Sequence, residues 1–582
     1  MSFSTKKIIQ RRTFDSSKAK FTKPLAPVLE RILVAREVYS DNEIEMRLEY
    51  LLKPDSLKGL DAAITLLLEA VTQQQRVLIV GDFDADGATS CALSVLVLRE
   101  MGLQTVDYLV PNRFDYGYGL TPEIVAVAAG GKPDLLITVD NGISSIEGVA
   151  EAQRRGIKVI VTDHHLPGDV LPAADAIINP NQGNCSFPSK NLAGVGVIFY
   201  VMVSLRAALR EINWFKDNNI REPNLGDYLD LVAVGTVADV VPLDFNNRVL
   251  VQQGLQRIRS GKGRVGIMAL LDIAGRRFSN IVASDLGFVV GPRLNAAGRL
   301  DDISLGIQCL LCDSANLAKE MALELDDLNR DRKAIESGMQ DEAIKSLNDL
   351  QLDDESELPW GLCLYDSNWH QGVIGILASR IKDRVHRPVI AFADADSGEI
   401  KGSARSIEGL HIRDALDDVA TGNSGLLKKF GGHAMAAGLS LEKNKLEEFK
   451  VAFDQVVHDR LREQDLEAQI LSDGELAEDE LSMTLAQTLR DAGPWGQHFP
   501  EPLFDGEFYV IQQRLVGEKH LKMIVSTKEK SQIIFDAIAF NVDLSEWPNP
   551  NAKRVKFAYR LDVNEFRGKR NLQLMVSYLE AV

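Results

Sequence analysis

Three short clusters of acids and histidines each follow directly on an apolar run, and this placement limits the possible fold more than any other feature of the chain. The runs are VLIVG (Val77 to Gly81), LLITV (Leu135 to Val139) and VIVT (Val159 to Thr162). The clusters are Asp82, Asp84 and Asp86 in DFDADG, Asp140 in DNG, and Asp163, His164 and His165 in DHH. Short segments that are apolar throughout read as strands buried on both faces, and helical stretches such as TSCALSVLVLREMG and SSIEGVAEAQRRG lie between them. Strand and helix in alternation predict a doubly wound parallel sheet, in which the loops after successive strands open into one crevice. The acids and histidines would then share a pocket.

So many carboxylates cannot stay ionised together in a partly desolvated cleft without a cation. Mixed carboxylate and imidazole ligands suit Mn²⁺ or Mg²⁺, whereas structural zinc would recruit thiolates. The five cysteines (Cys91, Cys185, Cys309, Cys312 and Cys363) offer no thiolate set. Their one CxxC, Cys309 with Cys312, sits in the apolar string QCLLC and reads as helix packing. Two cations about 3.5 to 4 Å apart activate a water and steady both oxygens of an in-line displacement at phosphorus, so phosphodiester hydrolysis is the implied reaction. One DxDxDG alone could be a calcium loop, but no glutamate stands at that loop's twelfth position and a strand precedes it. A further acid, Asp239, ends the helix-like run DLVAVGTVADVVPL, which Pro242 stops; taken alone it would be a cap.

GDFDADG, VDNG, DHH and GTVADVVPL, in this order and spacing, resemble the signature of the DHH phosphoesterase superfamily. GPRLNAAGRL (Gly291 to Leu300), WHQGVIGILASR (Trp369 to Arg380), GSARS (Gly402 to Ser406) and KKFGGHAMAAG (Lys428 to Gly438) resemble, within it, the RecJ family of single-strand exonucleases. The resemblance implies two divalent ions, Mn²⁺ or Mg²⁺, held by Asp82, Asp84, Asp86, Asp140, His164 and Asp239, without deciding which of the first three touch metal. Many superfamily members carry a histidine shortly before the DxD pair, where this chain has Val80 and Gly81; Asp82 takes that ligand's place. Roles at the phosphate or leaving oxygen fall to His165, Asp163, Arg293 and Asn295. The later motifs resemble the DHHA1 substrate domain. Ser403, Arg405, Gly432 and His433, with His370 and Gln371 of WHQG and Arg113 of PNRFDYGYG, are thereby implied in substrate binding, chiefly at a 5′ terminal phosphate. Arg299 joins Arg293 and Asn295 in the GPRLNAAGRL loop, facing the scissile phosphate or the strand. Arginine suits such work because its planar fork grips phosphate oxygens in pairs, and glycine lets the backbone come close.

The activity so implied is 5′-to-3′ digestion of single-stranded DNA to 5′ mononucleotides, in recombination and repair, by a monomer working with a single-strand binding protein and a RecQ-type helicase. Two other readings keep the same metal site. A DHH phosphoesterase acting on short oligonucleotides, cyclic dinucleotides or pyrophosphate would not need a strand-rich C-terminal region. A non-catalytic DNA-binding scaffold would have lost metal ligands, whereas every acid position is filled here.

A chain of 582 residues has room for about three or four domains. We expect an N-terminal basic and helical lead-in over 1–50, a DHH catalytic domain over 51–275, and a linker over 276–355. The linker holds one long charged helix from about Asp313 to Leu350, setting the distance between the two halves of the site. A second, DHHA1-like α/β domain is expected over 356–460. Short strands separated by polar turns over 461–582 suggest a closed barrel, best an OB-fold. The opening MSFSTKKIIQRRTF lacks the apolar core of a secretory signal and no apolar stretch reaches membrane-span length, so the expected location is the cytoplasm. The net charge of −18 runs against nucleic-acid binding, but part of the acid excess lies at the predicted metal site. More lies in DDESE (Asp353 to Glu357) and DGELAEDE (Asp473 to Glu480), expected to be solvated. The segment from Lys553 to Arg570 is basic instead. Lys553, Arg554, Lys556, Arg560, Arg567, Lys569 and Arg570 would hold phosphates there while Phe557, Tyr559 and Phe566 stack on bases. The alternative for this segment is an amphipathic edge hairpin guarded by lysines.

Overall fold

The computed structural model describes residues 7–110, 119–349, 358–395, 398–432, 434–517, 519–542, 544, 547–566 and 569–582. They form two compact units, one of Ser40–Arg330 with Ala492–Glu501, the other of Met1–Tyr39, Asp331–Asp491 and Pro502–Val582. The apolar runs of the first unit become β2 (Val77–Gly81), β3 (Val106–Leu109), β4 (Leu135–Val139), β5 (Lys158–Thr162) and β6 (Ala176–Ile178); β1 (Ile8–Arg11) belongs to the second unit. The five strands pair in the order β3-β2-β4-β5-β6, all parallel. The runs of β2, β4 and β5 are mostly apolar because both faces are covered. Val80, Leu136, Val159 and Val161 pack with the helices Pro122–Ala129 and Ile146–Arg154, and the alternate residues Ile79, Leu135, Ile137 and Ile160 are equally buried. The three acid clusters follow β2, β4 and β5, which are neighbours in the sheet, so their loops leave the same edge side by side.

In the second unit β7 (Leu362–Tyr365), β8 (Val389–Asp394), β9 (Glu399–Arg405), β10 (Lys429–Gly432) and β11 (Ala436–Glu442) form a sheet in the order β10-β11-β9-β8-β7, parallel only between β7 and β8. The lead-in is not merely basic and helical, since β1 pairs in parallel with β12 (Gln469–Ser472). The strands β13 (Phe504–Val516), β14 (His520–Ser526), β15 (Phe535–Ala539), β16 (Arg554–Phe566) and β17 (Lys569–Ala581) close a barrel in the order β13-β14-β15-β17-β16. The charged, proline-free stretch is a 35-residue helix, Ala315–Asp349. No helix among the described residues is long and apolar enough to cross a membrane.

Several expectations need correction. Phe557 and Tyr559 are 0 % and 1 % exposed, inside the barrel against Phe508 and Phe504; they cannot stack on bases. A strand with one face in a barrel alternates inward rings with outward cations, and β16 is paired on both sides, so it is no edge hairpin. GPRLNAAGRL is a helix, Gly291–Leu300, with Pro292 in its first turn, where a missing N–H costs nothing. Asp473 is not solvated: its carboxylate accepts from both terminal nitrogens of Arg36 at 2.7 and 2.9 Å, with 1 % and 2 % of the two side chains exposed. Cys309 is buried in the helix Ser304–Leu311 and Cys312 follows its end; all five cysteines are free. DDESE, like the side chain of Phe566, lies outside the described residues.

Removing one partner of a buried ion pair leaves an uncompensated charge. Asp473→Ala should therefore destabilise the second unit by about 3–5 kcal/mol. Urea unfolding followed by tryptophan fluorescence checks this, and a loss below about 1 kcal/mol, the ceiling for exposed pairs, would mean the pair is effectively solvated.

Candidate metal centre

Each acid is aimed by the backbone that carries it. The DFDADG loop turns from β2 into the helix Ala85–Glu100, and Asp84 caps that helix by accepting from the amides of Asp86 (2.9 Å) and Gly87 (3.1 Å). Asp82 accepts from the Phe83 amide at 2.8 Å. Asp140, just past β4, holds φ +62°, a left-handed conformation that aspartate tolerates better than most residues and that turns its carboxylate out of the strand direction. Asp239 sits at the C-terminal end of the helix Leu229–Ala238. Asp163, past β5, is engaged locally. It accepts from the amides of Ile143, His164 and His165 and lies 2.7 Å from His165 Nδ1. Asp163 is thus a positioning residue for His165, not a member of the ligand groups.

Among the described residues three overlapping groups bring their donor atoms within 4.8 Å of one another: Asp82, Asp84 and Asp140; Asp86, His164 and Asp239; and Asp140, His164 and His165. His164 Nε2 lies 3.1 Å from Asp140 Oδ1 and 3.4 Å from Asp239 Oδ2. Asp140 Oδ1 and His164 Nε2 are both buried without a hydrogen-bond partner. Buried polar atoms normally have one, so two orphans facing each other in a ring of carboxylates fit ligands of a cation. The electrostatics agree. Burial, then repulsion from Asp239, pushes Asp86 up to about 7; burial, then Asp84, pushes Asp239 up to about 8; and burial with Asp86 as chief neighbour holds Asp140 well above the usual carboxylate range. Burial and the neighbouring His165 keep His164 below its usual value, hence neutral and able to ligate. His165 goes the other way. Burial would lower it, but the bond to Asp163 prevails and raises it to about 9, while Asp163 itself drops to about 2 against its own burial.

Other groups line the nest from behind, and sequence reasoning missed them. The helix Gly194–Glu211 begins at Asp86, whose two oxygens accept from the amides of Gly194 (2.6 Å) and Val195 (2.9 Å). A Cβ at Gly194 would stand 2.5 Å from the Asp140 Cβ, and one at Gly235 would stand 2.7 Å from Asp86 Oδ1. Both glycines are there for close approach. The signal that could have exposed the first was AGVGV, small residues opening an apolar helical run.

Other candidates are distributed as follows. Asn295 Oδ1 accepts from the Ala85 amide at 2.7 Å and so fixes the DFDADG turn. Arg293 pairs with Asp326 at 2.7 Å and donates to the Val289 carbonyl. Arg299 is half-buried on the same helix. Ser403, Arg405, His370, Gln371 and Gly432 belong to the second unit. There Arg405 donates to Ser403 Oγ at 3.1 Å. A Cβ on Gly375, at the start of the helix Ile374–Val385, would lie 2.8 Å from both Arg405 Nη2 and Ser403 Oγ. No carboxylate among the described residues pairs with Arg405, and burial alone lowers its pKa. His370 Nδ1 accepts from Gly372, and Gln371 donates to the Asp394 carbonyl. On the barrel Lys553, Arg554, Lys569 and Arg570 are exposed and Lys556 and Arg560 half-buried; Arg554 pairs with Glu507 and Arg570 donates to Gln487. Arg113, His433 and Arg567 lie outside the described residues.

Family models match in three places: the DHH family N-terminal domain over 76–236, the DHHA1 domain over 360–459 and the RecJ OB domain over 472–578. The single-stranded-DNA-specific exonuclease RecJ of Escherichia coli is 55 % identical over 568 residues, 98 % of this chain and 98 % of the relative. The chain belongs to the RecJ family. RecJ of Dickeya dadantii is likewise 55 % identical, over 98 % of this chain and 99 % of its own. The crystal structure of RecJ in complex with Mn²⁺ from Thermus thermophilus superposes with a TM-score of 0.78 at 30 % identity, covering 96 % of this chain and 76 % of that one. A second RecJ structure, bound to manganese, is 33 % identical and gives a TM-score of 0.57 over 70 % of this chain and 96 % of that one.

With Asp239 near 8 and Asp86 near 7, the metal-free nest carries protons at neutral pH, and a cation must displace them. Titrating Mn²⁺ at pH 7 in two buffers of different ionisation enthalpy should register release of about one proton or more, and apparent affinity should fall as pH drops from about 8 to 6. Heats independent of the buffer would mean the carboxylates are already ionised.

Proposed function

We propose that this chain is a single-stranded-DNA-specific exonuclease that hydrolyses phosphodiesters from the 5′ end and releases 5′ mononucleotides. The observation that carries the reading is the pair of donor groups, Asp82, Asp84 and Asp140 beside Asp86, His164 and Asp239, in a member of the RecJ family. Held by these six residues, two divalent ions, Mn²⁺ or Mg²⁺, would lower the pKa of a water and neutralise charge on the phosphate. The residues do the rest. Asp140, orphaned beside His164, is the donor best placed to serve both groups. His165, kept protonated at neutral pH and oriented through Nδ1 by Asp163, stabilises negative charge on the phosphate or leaving oxygen. Asn295 and the amides of Gly194 and Val195 fix the loop and the carboxylate they touch, so no reorganisation is needed at the reacting centre.

End recognition we assign to the second unit. Arg405, with no acidic partner among the described residues, the Ser403 hydroxyl and the first turn of the helix Ile374–Val385 offer a guanidinium, a hydroxyl and backbone amides to a terminal phosphate. Gly432, His433, His370 and Gln371 complete this set by family resemblance, which also carries Arg113 and Arg299 over as substrate contacts. The outward cations of the barrel, Lys553, Arg554, Lys556, Arg560, Lys569 and Arg570, contact the DNA backbone, and Arg567 joins them by its place in the sequence. We assign 51–275 as the catalytic domain, 276–355 as the linker, 356–460 as the substrate domain and 461–582 as the DNA-binding barrel, a division supported by where the family models match. The setting is the cytoplasm, as a monomer, with a single-strand binding protein and a RecQ-type helicase as partners.

Asp140→Ala should lower cleavage of a labelled single strand by on the order of a thousandfold, because it removes a donor of one group that lies 3.1 Å from His164 of the other, while DNA binding is largely kept. Cleavage near the parental rate would refute that role. Arg405→Ala should weaken use of 5′-phosphorylated strands by roughly 10- to 100-fold and leave 5′-hydroxyl strands nearly unaffected. Equal losses on both would remove Arg405 from end recognition.

A further inference from the structure

Ten residues of the C-terminal half, Ala492–Glu501, fold with the catalytic unit, although the chain on either side of them, up to Asp491 and from Pro502, folds with the other unit. They reach the turn that leaves Asp239. That turn is Val240 to Asp244; Val240 holds φ +61°, a strained conformation for a β-branched residue. It persists because the turn is held from two sides. On one side Asn247 donates to the Pro242 carbonyl at 2.9 Å and Asp244 caps the following helix, Phe245–Arg259. On the other side the Leu243 amide donates to the Gln497 carbonyl at 2.8 Å, and Gly496 lies so near that a Cβ there would stand 2.7 Å from Leu243 Cδ1.

The segment has its own anchor. Phe499 is 4 % exposed, stacks on Trp495 with ring centroids 5.0 Å apart, and carries the Arg248 guanidinium over its ring at 4.1 Å. Gly496 and Phe499 bridge to close the loop. Arg248 in turn belongs to the helix that Asp244 caps. The stack therefore fixes both the segment and the far end of the turn.

We infer that Ala492–Glu501 is a buttress for the metal centre, and that Phe499, Trp495 and Arg248 are positioning residues that set the geometry of Asp239 through the Val240–Asp244 turn. The inference rests on the metal-centre reading. Outer groups that hold a ligand in place commonly govern metal affinity as strongly as they govern orientation. The buttress acts on Asp239 and not on the Asp82, Asp84 and Asp140 group, so its loss weakens one cation position more than the other.

The test is Mn²⁺ binding to the full-length, DNA-free protein, read from the electron paramagnetic resonance of free Mn²⁺. Parental protein should bind in two phases. Phe499→Leu and Trp495→Ala should weaken one phase by ~10-fold or more and spare the other, with Phe499→Tyr restoring it. A Leu67→Ala control, which opens the core of the same unit in the helix Leu60–Thr72, should lower thermal stability without moving either phase. Arg248→Met, which keeps the bulk and removes the cation, covers the case in which a Phe499 variant fails to fold. If parental protein binds no Mn²⁺, the metal-centre reading fails. If it binds, and the folded variants match it in both phases, the buttress alone is overturned.

Discussion

Mutual repulsion among carboxylates at the edge of one sheet is the constraint from which the rest of this structure follows. Asp82, Asp84, Asp86, Asp140 and Asp239 are brought together by separate backbone devices, which relieve only part of the charge. A fold with no means of neutralisation would shed such a cluster, and here some neutralisation is built in. The amides opening the helix Gly194–Glu211 face Asp86, the positive end of a helix against a carboxylate. Neutral His164 sits among the acids where a further carboxylate would add to the problem. What remains uncompensated is what a pair of divalent cations would take.

The two histidines of DHH show how one charge can be handled in opposite ways by adjacent residues. Asp163 is buried to the same degree as Asp140, yet it stays ionised because three amides and the His165 ring surround it. That pairing keeps His165 charged and, through repulsion, helps keep His164 neutral. Asp163 therefore sorts the pair into a cation and a ligand.

The legible part of the site was the part where residue chemistry conflicts with its setting. Acids directly after mostly apolar strands demand a reason, and β2, β4 and β5 proved adjacent, so the side chains that strand ends pointed to do lie together. It failed where one pattern fits two structures. Cations interleaved with Phe557 and Tyr559 describe a base-stacking surface, but they describe equally a barrel strand with its rings turned inward, and only the pairing of β16 on both sides distinguishes the two. GPRLNAAGRL, rich in glycine and proline, reads as a loop until the turn before it is seen to run into a helix without a break. The pairing of β1 with β12 and the docking of Phe499 on Arg248 join residues hundreds of positions apart, and no local signal carries such contacts.

The groups for chemistry and the groups assigned to end recognition fold in different units, each with its own hydrophobic core. Effects of substitution at sites with no shared partner are close to additive. Damage to Asp140 and damage to Arg405 are thus expected to be separable, one falling on turnover and the other on discrimination between ends. Asn295 and Arg293 qualify this division, because both look like substrate contacts in sequence and both are occupied within the first unit, one by the Ala85 amide and the other by Asp326. For a strand to reach the Arg293 guanidinium, the ion pair with Asp326 would have to give way, and Asp326 is also held by Arg330. Arg293 is therefore better suited to holding the long helix against the catalytic core than to gripping DNA, and polarity is better assigned to Arg405, whose guanidinium has no carboxylate to leave among the described residues.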